Sequence, residues 1–526
     1  MLSSVAPPRK SLSSSRSAEM KDLFRHTITS TERLTIVQYI LDAENDVKDY
    51  HAEINRLQTM IWTLENEKDA LKKSMERFRF LLSPVYKLPP EILINIFDFC
   101  CGMNDLEAKE SSMPTALTLS RVCGRWRDIL LSTPRLWTSL SIHLKGWTGD
   151  RLRLSGLTRM FMKRSKELGL TITLDFSNAD EPLEVYIPAL ESLIANSTRW
   201  TDVKLIIPAL VIKQPMFENI RGRLPMLERL YITGCGPSDH TEDAHVDLFE
   251  DCPSLHSFAY KASSPSIIVN VPWDQIKTLK LCNYYSTFAF DRLALCRNVE
   301  QLKLHIVGGG REYKSHVSSD IRELYLTVHE QVDVSSIFQY STLRQLSTLD
   351  IRGLFDEPDE EWIVWEEVPI RAFLYRSQCS ITHLHLQWLP IEDGQAVSLL
   401  ELTPTLSRLH IEEYRKNAIE NKIITPYFLQ RLLVDHGSSR HSFLPQLTDL
   451  TLYVHHSGLD PDFLLKVVTS RWLPDPSHSE EVGVQCLKAF SLAIMGKEAS
   501  VAERFAGLLC FRDAGMRMTL SQLHIF

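Results

Sequence analysis

The side chains best suited to chemistry in this sequence are histidines and cysteines at close spacing. His383 and His385 stand two residues apart, so on an extended strand both project from one face, and His410 is placed to join them from a neighbouring strand. Three imidazoles so arranged suit a divalent transition metal; three solvated histidines on a polar face are the plainer alternative. A second group, Cys235, His240, His245, Cys252 and His256, has the residue types of a zinc site, but its spacings fit no standard finger. Frames for other chemistry are missing: no G-x-x-x-x-G-K-[ST] to cradle phosphate, no G-x-S-x-G nucleophile elbow and no H-E-x-x-H. Gly308-Gly309-Gly310 reads as a turn after a strand. The expectation is a chain that is not an enzyme, with no catalytic residue, no metal and no cofactor assigned.

The elements that position these histidines repeat. The pattern apolar-x-x-apolar-x-apolar occurs at Leu227/Leu230/Ile232, Leu255/Phe258/Tyr260, Ile276/Leu279/Leu281, Val299/Leu302/Leu304, Ile321/Leu324/Leu326, Leu346/Leu349/Ile351, Ile381/Leu384/Leu386, Leu406/Leu409/Ile411, Leu447/Leu450/Leu452 and Leu487/Phe490/Leu492. Weaker copies at Trp137/Leu140/Ile142 and Trp200/Val203/Leu205 extend the series backward. Spacing and pattern resemble an irregular leucine-rich repeat solenoid, in which each unit supplies one short parallel strand and a returning helix or loop. The Asn that usually follows the strand in that family is absent, so uneven helices and lengthened loops are expected. Alternation along a strand places the residues before and between the last two apolar positions on the opposite, concave face. Arg229, Tyr231, Lys280, Lys303, Tyr325, Asp350, His383, His385, Arg408 and His410 are therefore the candidate substrate-binding row, rich in the Tyr and Arg that carry interface energy. Between two repeats, Phe355 to Glu367 holds seven acids with Trp362 and Trp365 and no base: a grip for a basic segment, or a solvated insertion.

Ahead of the repeats, apolar residues recur at steps of three and four: Ile40, Ala43, Val47, Tyr50, Ile54, Leu57, Ile61, Leu64, then Leu71, Met75, Phe78 and Leu82. Only Lys68 interrupts this seam, and no Pro or Gly lies within it, so residues 31–83 are expected to form one coiled-coil helix. Residues 40–82 offer it for self-association; packing on its own domain is the alternative. Residues 1–30 read as a disordered tail, whose first part is rich in Ser and Pro and free of acids.

Pro84 ends the helix, and Leu88-Pro89-Pro90-Glu91-Ile92-Leu93-Ile94-Asn95-Ile96-Phe97 opens another, with prolines suited to a first turn and an apolar stripe at Ile92, Leu93, Ile96 and Phe97. A second helix is expected from Leu117 to Leu130, followed by Ser132-Thr133-Pro134-Arg135-Leu136-Trp137. So small a helical body buries little surface and needs a partner. The L-P-P-E-I-L-x-x-I-F opening, the V-C-x-x-W-R core at Val122 to Arg127 and the closing S-T-P-x-L-W resemble the F-box family, in the type common in fungi and basidiomycetes. The resemblance covers about residues 86–140. It implies docking to a Skp-type adaptor and, through it, to a cullin. Position by position, Leu88, Pro89, Ile92, Leu93, Ile96 and Phe97 would face the adaptor, and Val122, Cys123 and Trp126 would complete the interface. The stretch Cys100 to Pro114 is longer than the family's usual linker and leaves the register of the middle helix open.

Composition supports this division. The 526 residues, 44% hydrophobic and 24% charged, exclude wholesale disorder. With 58 basic against 66 acidic residues the net charge is −8, which lacks the basic excess of a nucleic-acid binder. No apolar run spans a bilayer and no secretory signal opens the chain, so the expected compartment is cytoplasmic or nuclear, and the ten scattered cysteines are free thiols. The fold class expected is α/β: an N-terminal heptad helix, a small helical F-box and, over residues 141–526, an irregular solenoid with a parallel sheet. Its expected function is to be the substrate-recognition subunit of a Skp–cullin–F-box ubiquitin ligase, capturing a protein on the repeats. The alternatives are an adaptor-bound scaffold acting without a cullin and, more remotely, a metal-dependent enzyme built on the histidines.

Overall fold

The protein, a computed structural model, is described over residues 24, 27–107, 113–144, 151–177, 183–234, 244–261, 267–284, 286–306, 316–329, 331–353, 365–413, 423–437, 442–455, 459–495 and 504–523. Nearly all of the stretch read as a tail, Cys235 and His240, the three glycines and most of the acidic insertion lie outside the described residues. The chain divides into two compact units, Met1–Leu93 and Ile94–Phe526.

The first unit is dominated by helix α1, Ser30–Leu81, 52 residues long. At about 1.5 Å per residue it extends roughly 78 Å. Its start is secured by Thr29, whose backbone N–H and hydroxyl both donate to the Glu32 carboxylate, at 2.8 and 2.7 Å. The seam is exposed along its length, with Val47, Ile54, Leu57, Ile61, Leu64, Leu71 and Phe78 all between 42% and 66% accessible. No helix among the described residues is long and apolar enough to cross a membrane.

In the second unit, fifteen strands form one sheet in chain order, every neighbouring pair parallel. They are β1 Asn104–Leu106, β2 Ser139–His143, β3 Leu170–Asp175, β4 Trp200–Ile207, β5 Arg229–Gly234, β6 Ser257–Lys261, β7 Thr278–Tyr284 and β8 Gln301–Ile306. The series continues with β9 Glu323–Val328, β10 Thr348–Gly353, β11 His383–Gln387, β12 Arg408–Glu412, β13 Asp449–His455, β14 Ala489–Met495 and β15 Arg517–Leu523. All three apolar positions of the ten repeats are buried, and none of the thirty exceeds 4% exposure. Parallel strands bury this face because helices such as Gln331–Tyr340, Val368–Ser377, Asp393–Glu401 and Pro461–Arg471 return across it. The architecture is an α/β repeat solenoid.

Without the Asn of regular repeats, the helix ends are satisfied by arginines reaching back one repeat. Arg471, at the end of helix Pro461–Arg471, is fully buried and donates to the carbonyls of Leu432 at 2.6 Å, Phe443 at 2.6 Å and Leu444 at 3.1 Å. Leu432 is itself the last residue of helix Pro426–Leu432. Arg376 takes the carbonyls of Phe338 and Ser341 in the same way, and Arg199 those of Leu168 and Met162 with the Ser165 hydroxyl. A guanidinium has five donors and favours the negative end of a helix, so one side chain covers several carbonyls left open there. Burial lowers the Arg471 pKa to about 10, which still leaves it charged near neutral pH.

Two features of the helical module depart from expectation. The single helix expected from Leu117 to Leu130 is two, α3 Thr115–Ser120 and α4 Gly124–Ser132, after α2 at Pro90–Cys100, because Cys123 is fully extended at φ −159° and caps the second. The stretch read as a long linker contains β1, so the sheet begins inside it. Asn104 there is buried; its amide donates to the carbonyls of Leu136 and Ser139, and its Oδ1 accepts from the Ala116 N–H at 2.9 Å.

Candidate functional site

Two surfaces carry the candidate residues. The first follows helix α2, Pro90–Cys100. Its apolar stripe, read as one face, is split in two. Leu93 and Phe97 are buried to 1%, which corrects their expected place on an adaptor face; Phe97 meets the Trp126 ring edge-on at 4.8 Å between centroids. Ile92 and Ile96 are 45% and 43% exposed, and Phe99, which the sequence reading passed over, is 91% exposed. Positions 92, 96 and 99 recur at i, i+4 and i+7, a spacing that marks one helix face and was the signal available for Phe99. Pro89 and Val122 are exposed, while Leu88, Cys123 and Trp126 are half-buried. Arg135 fixes the helix on the module, with Nη2 3.2 Å from Asn95 Oδ1 and 3.8 Å from Asp98.

The second surface is the polar face of the sheet, where strand register aligns the outward residues into three rows. One runs Asp202, Arg229, Ser257, Thr278, Gln301, Glu323, Thr348, His383, Arg408, Asp449. The next passes from Lys204 through Tyr231, Lys280, Lys303, Tyr325, Asp350 and His385 to His410. A third, two residues further along each strand, was not read from sequence and includes Arg352, Gln387, Glu412 and Tyr453. The face changes character along its length. Toward β4–β9 it is basic and aromatic, with Lys204 Nζ 5.3 Å from the Tyr231 ring and Lys303 Nζ 4.9 Å from that of Tyr325. Toward β10–β15, His383, His385, Arg408, His410, Asp350, Asp449 and Arg517 surround a depression of about 380 Å³.

Five of the ten predicted face residues meet in that depression, whereas Arg229, Tyr231, Lys280, Lys303 and Tyr325 lie on earlier strands. Asp350, expected on the concave face as a candidate substrate contact, is 5% exposed. Arg352 grips its carboxylate with two bonds of 2.7 Å and His385 Nδ1 lies 2.9 Å away. Burial pushes the Asp350 pKa up, but these hydrogen bonds outweigh it and hold the group below its ordinary value. The His385 and His410 rings stack at 4.0 Å, and Tyr453 covers the latter at 5.1 Å. Burial, reinforced by the neighbouring His385, lowers the His410 pKa to about 4. His383 stands apart, its Nδ1 2.8 Å from the Thr382 hydroxyl, and is lowered by burial and by Arg408. The expected trio of histidines is thus a pair. Glu412 is buried, accepting from Trp388 Nε1 and Gln387 Nε2 at 2.9 Å each. Trp388 sits in the left-handed region at φ 55°, so close to β10 that a Cβ at Gly353 would strike its carbonyl. Trp365 is 3% exposed, which removes one of the two tryptophans from any grip by the acidic insertion.

Residues 85–143 match the family of F-box-like domains. No curated protein matches the chain. Among solved structures, a protein from Bacteroides fragilis is similar at 12% identity, over 65% of this chain and 84% of that one, with a TM-score of 0.28. The chain therefore carries an F-box-like domain, a module that typically binds a Skp-type adaptor and places its proteins in ubiquitin ligase complexes.

Proposed function

We propose that this chain is the substrate-binding subunit of a Skp–cullin–F-box type ubiquitin ligase. The observation that carries the reading is the F-box-like match over 85–143 together with a sheet of fifteen parallel strands that begins inside it and has a polar, aromatic-bearing face. The adaptor docks on Pro89, Ile92, Ile96, Phe99 and Val122, which are exposed among the described residues. The protein substrate lies on the polar face, where Arg229, Tyr231, Lys280, Lys303 and Tyr325 favour a segment with acidic and aromatic groups. The chain itself performs no chemistry; ubiquitin transfer belongs to the other subunits. The exposed seam of α1 joins two copies, and the compartment is cytoplasmic or nuclear.

Affinity capture of the tagged chain, beside an Ile92→Ala, Ile96→Ala, Phe99→Ala variant, tests this. Adaptor and cullin recovered with the wild type and lost with the variant are the expected result. Adaptor without cullin favours a scaffold, and neither partner with either chain sinks the reading.

A further inference from the structure

We propose that His385 Nε2, His410 Nε2 and the Glu412 carboxylate form a binding site for one divalent transition cation of the zinc class. The three side chains come from adjacent strands. His385 and His410 are register partners on β11 and β12, and Glu412 follows His410 by two residues on the same face. One donor atom from each lies within 4.8 Å of the other two. Tetrahedral zinc at about 2.0–2.1 Å from its ligands needs those atoms about 3.3 Å apart. Rings already stacked at 4.0 Å with 20° between their planes reach that by turning about their side-chain torsions.

What surrounds the donors points to a cation. Both Nε2 atoms are buried and have no hydrogen-bond partner among the described residues. A buried, unpaired nitrogen is costly, and each of these two lacks such a partner. The other nitrogen of His385 lies 2.9 Å from the Asp350 carboxylate, the arrangement that fixes a ligating imidazole with its proton on Nδ1 and its Nε2 lone pair outward. Asp350 is itself held by Arg352. Glu412 is oriented by Trp388 and Gln387, with one bond to each carboxylate oxygen. Asp350 and Glu412 are the carboxylates placed directly against the two imidazoles, with Arg352 paired to Asp350. Two imidazoles with a carboxylate select zinc, cobalt, nickel or copper over magnesium and calcium, which prefer all-oxygen shells. Three protein donors leave a tetrahedral ion one position for water. His383, with Thr382 on its Nδ1, lies outside this set.

The test uses the full-length chain, stripped with a chelator and dialysed against a limiting concentration of zinc, with metal and protein quantified together. The wild type should retain one zinc per chain. His410→Phe keeps the ring between His385 and Tyr453 while removing the donor, and should lose retention at least tenfold; His385→Gln should do the same. Asp350→Asn should weaken binding about 10–100-fold through the orientation of His385. His383→Ala should bind as the wild type does. Cobalt in place of zinc should give a d–d spectrum without a sulfur-to-metal charge-transfer band. The proposal fails if the wild type retains no zinc, if His410→Phe and His385→Gln, shown folded by circular dichroism, bind like the wild type, or if the cobalt spectrum shows thiolate ligation.

Discussion

Helix α1 and the repeat sheet both carry long apolar periodicities, and they meet opposite ends. In the sheet, thirty repeat positions are closed by the chain's own returning helices and short strands, and none is more than 4% exposed. Along α1, Ile54, Leu57, Ile61 and Leu64 stand 42% to 57% exposed. A period-two pattern embedded in units that return on themselves finds cover locally, because each unit supplies the next with a buried face. The heptad seam of α1 has no such cover among the described residues, and its exposed apolar surface suits a second helix.

That contrast can be broken by mutation, and the largest effect is expected inside the repeats. Arg471→Ala removes a guanidinium that satisfies three carbonyls and should cost about 3–5 kcal/mol, read as a lower denaturant midpoint. Little change would mean that water reaches those carbonyls and that the arginines do not replace the missing Asn. Next, Phe97→Ala should cost about 3–4 kcal/mol, while Phe99→Ala, two residues away, should stay within about 0.5 kcal/mol. Equal effects would overturn the division of α2 into a buried and a docking face. Ile54→Lys with Ile61→Lys should leave the unfolding midpoint of the repeats within about 0.5 kcal/mol and turn a sedimenting dimer into a monomer. A wild type already monomeric at micromolar concentration removes self-association from the account. Smallest of all, Tyr325→Ala on the polar face should shift stability by about 0.5 kcal/mol or less, with its consequence confined to substrate capture.

Legibility differed just as sharply between regions. The repeats were readable because a strand's alternation is local: Leu324 and Leu326 inward places Glu323 and Tyr325 outward whatever the neighbours do. The third polar row, two residues beyond Tyr325 at Thr327 or beyond His410 at Glu412, lies past the last apolar residue of the repeat motif, so the motif itself does not mark it. β3 and β15 were missed because Leu170–Asp175 and Arg517–Leu523 lack the full three-apolar signature. On α2, Ile92 and Leu93 are equally apolar, and adjacency on a wide stripe did not reveal which would turn inward.

The faces of the ten repeat strands, the F-box-like module and the long seam were legible locally, since each follows from composition or period within a few residues. Tertiary structure alone decided that Asp350 is buried, that His385 rather than His383 faces His410, and that Glu412 lies beside them. Those outcomes depend on partners 35 residues away for Asp350 and 25 for Glu412. The physical reason is that burial and pairing of a polar group are set by which strands become neighbours and in what register, and a parallel sheet brings together residues that no local pattern relates.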